Sequence, residues 1–227
     1  QGQPISVRLL QGNIAQGEKF SPEHLNQILG VYRDLITAAP ADLIATPETA
    51  VPMFPAYLPP DYLRSLARYA ASSGSYLLYG IPLGDSPETA ANSVSGVGPA
   101  GVKAYQYDKH HLVPFGEFVP YGFRWFVNLM SMPLGDFNRG ADLQPAFAVK
   151  DQLVLPNICY EDAFGEEIAA QLRHAEHPAT LLLNVTNLPW YGEHVAIPQP
   201  LQGSQTSAMD TGSTIAQPPH TGAPPPS

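Results

Sequence analysis

The run Asp42-Leu43-Ile44-Ala45-Thr46-Pro47-Glu48-Thr49 decides the fold of this chain. Its apolar stretch is too short for a helix and breaks at proline, so it reads as a buried strand that delivers a carboxylate into a turn. On the N-terminal side, Ile5 to Ile14 is a second β-rich stretch that ends in turn residues. Between them Ser21 is a good N-cap, Pro22 suits the first helical position, and Leu25, Ile28, Leu29, Tyr32, Leu35 and Ile36 recur at helical spacing up to Pro40. On the C-terminal side, Pro60 and Asp61 open another amphipathic helix through Leu63, Leu66, Ala67 and Ala70, with Gly74 placed to end it. Tyr76 to Ile81 follows at once as a strand. Strands and helices that alternate over short connections predict a layered α/β domain.

Further along, Ala91 to Val97 and Val102 to Tyr107 flank a Gly-Pro-Ala-Gly turn and read as a hairpin. An insertion punctuated by Gly and Pro runs from Val113 to Arg139. Ala146 to Val149 and Gln152 to Ile158 are two more strands, Gly165 to Ala175 a helix, and Thr180 to Val185 a buried strand. From Leu188 to Ser227 there is no Lys or Arg, and Gly, Pro, Ser, Thr and Gln dominate, so this end is expected to be loop or disordered tail.

Composition sets the outer limits. The 227 residues, 44% hydrophobic and only 14% charged, suffice for one substantial core and exclude disorder from charge excess. Twenty acidic residues against 11 basic give a net charge of −9, the wrong sign for gripping phosphate backbones, so no nucleic acid is expected as a partner. A single cysteine, Cys159, excludes an internal disulfide and any cysteine-rich metal cluster. The start, Gln1-Gly2-Gln3-Pro4, carries neither a basic region nor an apolar one, and no apolar run approaches the roughly 18 residues of a membrane span. The chain as given is therefore expected to be soluble, without its own export signal.

Three strand ends carry reactive groups: Glu48 after Asp42 to Thr46, Lys109 after Val102 to Tyr107, and Cys159 after Gln152 to Ile158. A carboxylate can take the thiol proton, the thiolate can attack a carbonyl or nitrile carbon, and an ammonium can stabilise the oxyanion, so the set suits acyl transfer. Each residue also has a plainer reading. A strand-end cysteine is commonly a small buried hydrophobe. The tetrapeptide Pro-Glu-Thr-Ala recurs at 87–90, where no strand points into it, and the basic cluster of Lys109, His110 and His111 reads by default as a solvated patch. Two adjacent histidines without a nearby cysteine or acidic third ligand are weak evidence for a metal.

In combination, several strings resemble the nitrilase, or carbon-nitrogen hydrolase, superfamily, and within it the catalytic domain of the apolipoprotein N-acyltransferases. They are Leu9 with Gln11-Gly12-Asn13, Pro47-Glu48-Thr49, Tyr107-Asp108-Lys109-His110-His111-Leu112-Val113-Pro114-Phe115-Gly116-Glu117, and Asn157-Ile158-Cys159-Tyr160-Glu161. The resemblance covers about Val7 to Gly192. It implies a nitrilase-like αββα four-layer sandwich over residues 5–192, incomplete or divergent at its C-terminal end, with residues 193–227 as a divergent tail. By the same resemblance Glu48 is the general base, Lys109 the oxyanion-stabilising lysine and Cys159 the nucleophile that becomes a thioester. Glu117, Tyr160 and Glu161 are then supporting residues. The aromatic segment 113–139 becomes a lid whose Phe118, Trp125 and Phe126 meet acyl chains, and Trp190 and Tyr191 a second aromatic loop at the mouth of the site.

The implied activity is transfer of a fatty acyl chain from a phospholipid, through the Cys159 thioester, to the N-terminal amine of a lipid-modified lipoprotein. No cofactor or metal is implied. The implied partners are the phospholipid donor, the lipoprotein acceptor and a membrane surface, at the periplasmic face of the bacterial inner membrane. The family's transmembrane helices are missing from this sequence, and beyond Pro198 the family's arginine-bearing helix is replaced by arginine-free sequence, so the chain reads as a fragment. Two alternatives stay open: a soluble amidohydrolase with the same Glu-Lys-Cys site, and a truncated, inactive domain of the same fold. Cys159→Ser and Glu48→Gln keep side-chain size and are both expected to leave the fold intact.

Overall fold

The computed structural model describes residues 3–12, 14, 22–85, 89–112, 137–186 and 214–216. Two sheets form the centre. The first has five strands in sequence order: β1 (Val7–Leu9), β2 (Leu43–Ala45), β3 (Tyr76–Leu83), β4 (Ala91–Val97) and β5 (Tyr105–Asp108). β1, β2 and β3 run parallel, joined by α1 (Pro22–Thr37) and α2 (Tyr62–Ser73), and β3, β4 and β5 form an antiparallel meander. The second sheet is ordered β6 (Phe147–Val149), β7 (Gln152–Ile158), β8 (Leu181–Val185) and β9 (Thr214–Ala216), with α3 (Gly165–His174) between β7 and β8.

Strand alternation shows how the layers stack. Leu43, Ala45 and Leu78 enter a core shared with Val149, Val154 and Ile158 of the second sheet. The intervening Ile44, Leu77 and Tyr79 turn the other way, onto Leu29 and Ile36 of α1 and Leu66 and Ala70 of α2. Phe147 and Val154, paired in register on the second sheet, share the face that meets the first sheet, where the Phe147 ring lies 5.0 Å from that of Tyr105. Leu155, by alternation, faces the opposite way and lines a cavity with Ile168 of α3. The order is therefore helices, sheet, sheet, helix, as expected of an αββα sandwich. Each fully buried aliphatic side chain in it contributes about 1.5–3 kcal/mol through removal from water.

Some expected boundaries differ. β1 covers Val7–Leu9 rather than Ile5 to Ile14, because the chain leaves the sheet after Leu10 donates to Ala45 O. It then passes so close to Tyr32 that a Cβ on Gly12 would sit 2.8 Å from the ring. β5 begins at Tyr105 rather than Val102, since the hairpin loop takes up 102–104. Within 193–227, expected from sequence as a tail, three residues are described. Thr214–Ala216 forms β9, which pairs parallel with β8 and supplies the neighbour that β8 would otherwise lack. The rest of that stretch, and 113–136, lie outside the described residues.

Candidate active site

Glu48 sits in a turn seated directly on β3. Thr46 N donates to Leu78 O and Val51 N to Gly80 O, and Gly80 N donates in return to Thr46 Oγ1 at 3.1 Å. The turn presses so closely on the strand that a Cβ on Gly80 would stand 2.5 Å from both Pro47 O and Thr49 N, so only glycine fits there. Thr49 takes a left-handed conformation with φ 54°. This seating holds the Glu48 carboxylate inside, 5% exposed, where Asn92 Nδ2 of β4 donates to Oε1 at 2.7 Å. Lys109, buried to 1% exposure, brings Nζ to 3.4 Å from the same oxygen. Asn92 ties the pair twice over, since its backbone carbonyl accepts from Lys109 N at 2.8 Å.

Cys159 lies on the other sheet. It ends β7, opens a short 3-10 turn (Cys159–Ala163) and holds φ 56°, a left-handed conformation costly for a residue with a Cβ. Its carbonyl accepts from Asn184 Nδ2 of β8 at 3.0 Å, and the same amide donates to Asn157 Oδ1 at 2.5 Å. The side chain of Glu161 joins this turn to the first sheet. Its Oε2 accepts from Ile158 N at 2.7 Å and from the Tyr107 hydroxyl at 3.0 Å, and its Oε1 accepts from His110 N at 2.6 Å and His111 N at 3.1 Å. Burial pushes the Glu161 carboxyl up, against these donors and the Lys109 charge, which pull it down. Burial, with the Glu161 charge beside it, likewise pushes the Tyr107 phenol well above its ordinary value.

Glu48 and Lys109 meet as a buried ion pair, and the Cys159 turn is tied by Glu161 to the two residues after Lys109. Tyr160, read as a supporting residue, is 40% exposed, its ring edge-on to Phe164 with centroids 5.6 Å apart. Glu117, Phe118, Trp125, Phe126, Trp190 and Tyr191 lie outside the described residues. Asn92, Tyr107 and Asn184 were not singled out from sequence. The available signal was a polar or hydroxyl-bearing side chain inside an otherwise buried strand, as in Leu-Leu-Leu-Asn-Val at 181–185.

A family profile described as carbon-nitrogen hydrolase matches residues 6–221, nearly the whole chain. The chain belongs to the carbon-nitrogen hydrolase family. As a member it is 50% identical over 222 residues to the apolipoprotein N-acyltransferase of Ralstonia nicotianae, a match that covers 98% of this chain and 42% of that protein. The apolipoprotein N-acyltransferase of Verminephrobacter eiseniae is 46% identical, covering 96% and 41%. The carbon-nitrogen hydrolase chain thus spans a little over two fifths of the length of these relatives. The crystal structure of an amidase from Nesterenkonia sp., 20% identical, superposes with a TM-score of 0.67 over 96% of this chain and 76% of that one, which establishes the shared fold. The family match runs through β9, so the profile too extends past the expected boundary at residue 192.

Proposed function

We propose that this carbon-nitrogen hydrolase chain is the catalytic part of an N-acyltransferase that works through a cysteine thioester. The observation that carries the reading is the buried Glu48–Lys109 pair at 3.4 Å, with the left-handed Cys159 turn fastened to the same strand end. Both relatives named above are apolipoprotein N-acyltransferases, which favours a phospholipid acyl donor and a lipoprotein amine acceptor.

The chemistry divides into two half-reactions. Glu48 takes the Cys159 proton, and the thiolate attacks the ester carbonyl of the donor. Lys109 stabilises the oxyanion of the tetrahedral intermediate. Collapse breaks the ester C–O bond, and the lysophospholipid alkoxide leaves with the proton held by Glu48. The acceptor amine then attacks the thioester and gives up a proton to Glu48. As the C–S bond breaks, that proton returns to sulfur, so an amide forms and the free thiol is restored. A buried site suits this order, because water that reached the thioester would turn transfer into hydrolysis.

In this reading Glu117 supports the base and the lysine, and Tyr160 and Glu161 flank the nucleophile. The aromatic segment with Phe118, Trp125 and Phe126, together with Trp190 and Tyr191, meets the acyl chain at the periplasmic membrane surface. Among the described residues no helix is long and apolar enough to cross a membrane. The test is mass analysis of the protein after incubation with phospholipid vesicles. An acyl group on Cys159, discharged by a lipopeptide amine but not by water, supports the proposal. Labelling that persists in Cys159→Ser overturns the nucleophile. Rapid turnover of small amides without phospholipid labelling would assign an amidohydrolase instead.

A further inference from the structure

The two histidines that follow Lys109 find in the fold the acidic partner that the local sequence lacks. Lys109 turns toward Glu48, while His110 and His111 present their rings to Glu167 on the first turn of α3. His111 Nδ1 lies 3.0 Å and His110 Nε2 4.0 Å from Glu167 Oε2. One ligand atom from each of the three residues lies within 4.8 Å of the others.

Three independent features favour a cation over a simple ion pair. His111 Nδ1 is sealed from solvent and faces Glu167 Oε2 at 3.0 Å. The His111 ring itself is clamped, 3.6 Å centroid to centroid from Phe164. His110 Nδ1 is held by Gly140 O at 2.9 Å, which leaves Nε2 as the ring nitrogen that faces Glu167. A backbone carbonyl on the far ring nitrogen is the usual outer support of a metal-bound histidine. Ligand atoms around a tetrahedral first-row ion stand roughly 3.3 Å apart, and the distances of 3.0 and 4.0 Å to Glu167 Oε2 bracket that spacing. The three groups line a cavity of about 300 Å³.

We propose that His110, His111 and Glu167 form a binding site for a divalent first-row ion of the zinc class, which joins the segment after β5 to α3. Two imidazoles and a carboxylate suit zinc, nickel or cobalt rather than calcium or magnesium. The site does not rest on the acyl-transfer reading and goes beyond the sequence, which implied no metal.

The experiment strips the purified chain with a chelator, then titrates it with Zn²⁺ by calorimetry and with Co²⁺ by visible absorption. One equivalent should bind, with ligand-field bands of low-coordinate cobalt and no thiolate charge-transfer band. Glu167→Gln and His110→Asn should each weaken Zn²⁺ binding at least about tenfold. Glu166→Gln, an exposed neighbour on the same helix, should leave it unchanged. Cys159→Ser should also leave it unchanged, which separates this site from adventitious capture by the thiol. Zn²⁺ should raise the Tm of the parent and not that of Glu167→Gln. Absence of saturable binding, undiminished binding in both Glu167→Gln and His110→Asn, or loss in Cys159→Ser overturns the proposal.

Discussion

At the end of β2 the chain turns near Thr49 at φ 54°, and at the end of β7 it turns at Cys159 at φ 56°, but the two turns are held by different means. The Glu48 turn rests backbone to backbone on its own sheet, over the bare Cα of Gly80. The Cys159 turn belongs to one sheet, where Asn184 of the neighbouring strand holds its carbonyl, and must be registered against the other, which the Glu161 side chain does through Tyr107, His110 and His111. A turn within a sheet can be positioned by the ladder it grows from. A turn that faces a second sheet needs a polar tie, and the tie here is one buried carboxylate with four donors.

The sharpest break in this comparison is the pair Cys159→Ser and Glu48→Gln. Each should lower thioester formation by about a thousandfold or more, measured by mass labelling with phospholipid. Their stabilities should differ, contrary to the expectation from side-chain size alone. Cys159→Ser should unfold in urea like the parent. Glu48→Gln removes the charge facing a lysine that is 1% exposed and should cost about 3 kcal/mol. Equal midpoints for the two would show that the Glu48–Lys109 pair is not a buried charge pair in solution.

The next effect tests the tie. Glu161→Gln offers an amide to four donors that want a carboxylate, and should cost about 2–3 kcal/mol while slowing acylation. If it unfolds like the parent, the two sheets register without the carboxylate. Asn92→Ala should be milder, about 1–2 kcal/mol, since it leaves the Glu48–Lys109 pair in place and removes one donor at 2.7 Å. Its loss of acylation rate should fall well short of that of Glu48→Gln, which steady-state rates with a water-soluble ester would show.

The smallest effect lies away from the site. Lys150 holds the Asp42 carboxyl down at about 2, helped by Ser6 N at 2.7 Å. The folded value lies below the unfolded one, so the pair contributes stability above about pH 4, and the contribution disappears as pH falls through about 2. With Lys150 half exposed, the contribution is only a few tenths of a kcal/mol. Asp42→Asn should lower the Tm slightly at pH 7 and not at pH 2.

Much of the framework was legible because its signals are local. Apolar periodicity with Pro22 and Gly74 as punctuation located α1 and α2, and β4 and β7 fall on the expected residues. The strand ends that bring Glu48 and Lys109 together were legible too, through their order in the chain. What the sequence concealed is pairing across distance. Glu161 meets His110 from 51 residues away, and Glu167 meets His111 across two elements. β9 was hidden because Thr-Ile-Ala at 214–216 is a strand only by virtue of the edge that β8 offers it, within a stretch whose composition reads as tail.

That last strand also sets a timetable. Among the described residues, the sheet that carries Glu48 and Lys109 has its five strands once Asp108 has been made, whereas the sheet that carries Cys159 waits for Ala216, over a hundred residues later. β8 ends at Val185, and at roughly 5–20 residues per second on the ribosome the stretch from there to Ala216 takes on the order of 1.5–6 s, in which β8 shows a bare edge of three leucines, an asparagine and a valine. The strands beside Glu48 and Lys109 are made first and the neighbour of the Cys159 sheet's edge last. During synthesis, then, the nascent chain is most exposed to mispairing at the strand beside its only cysteine.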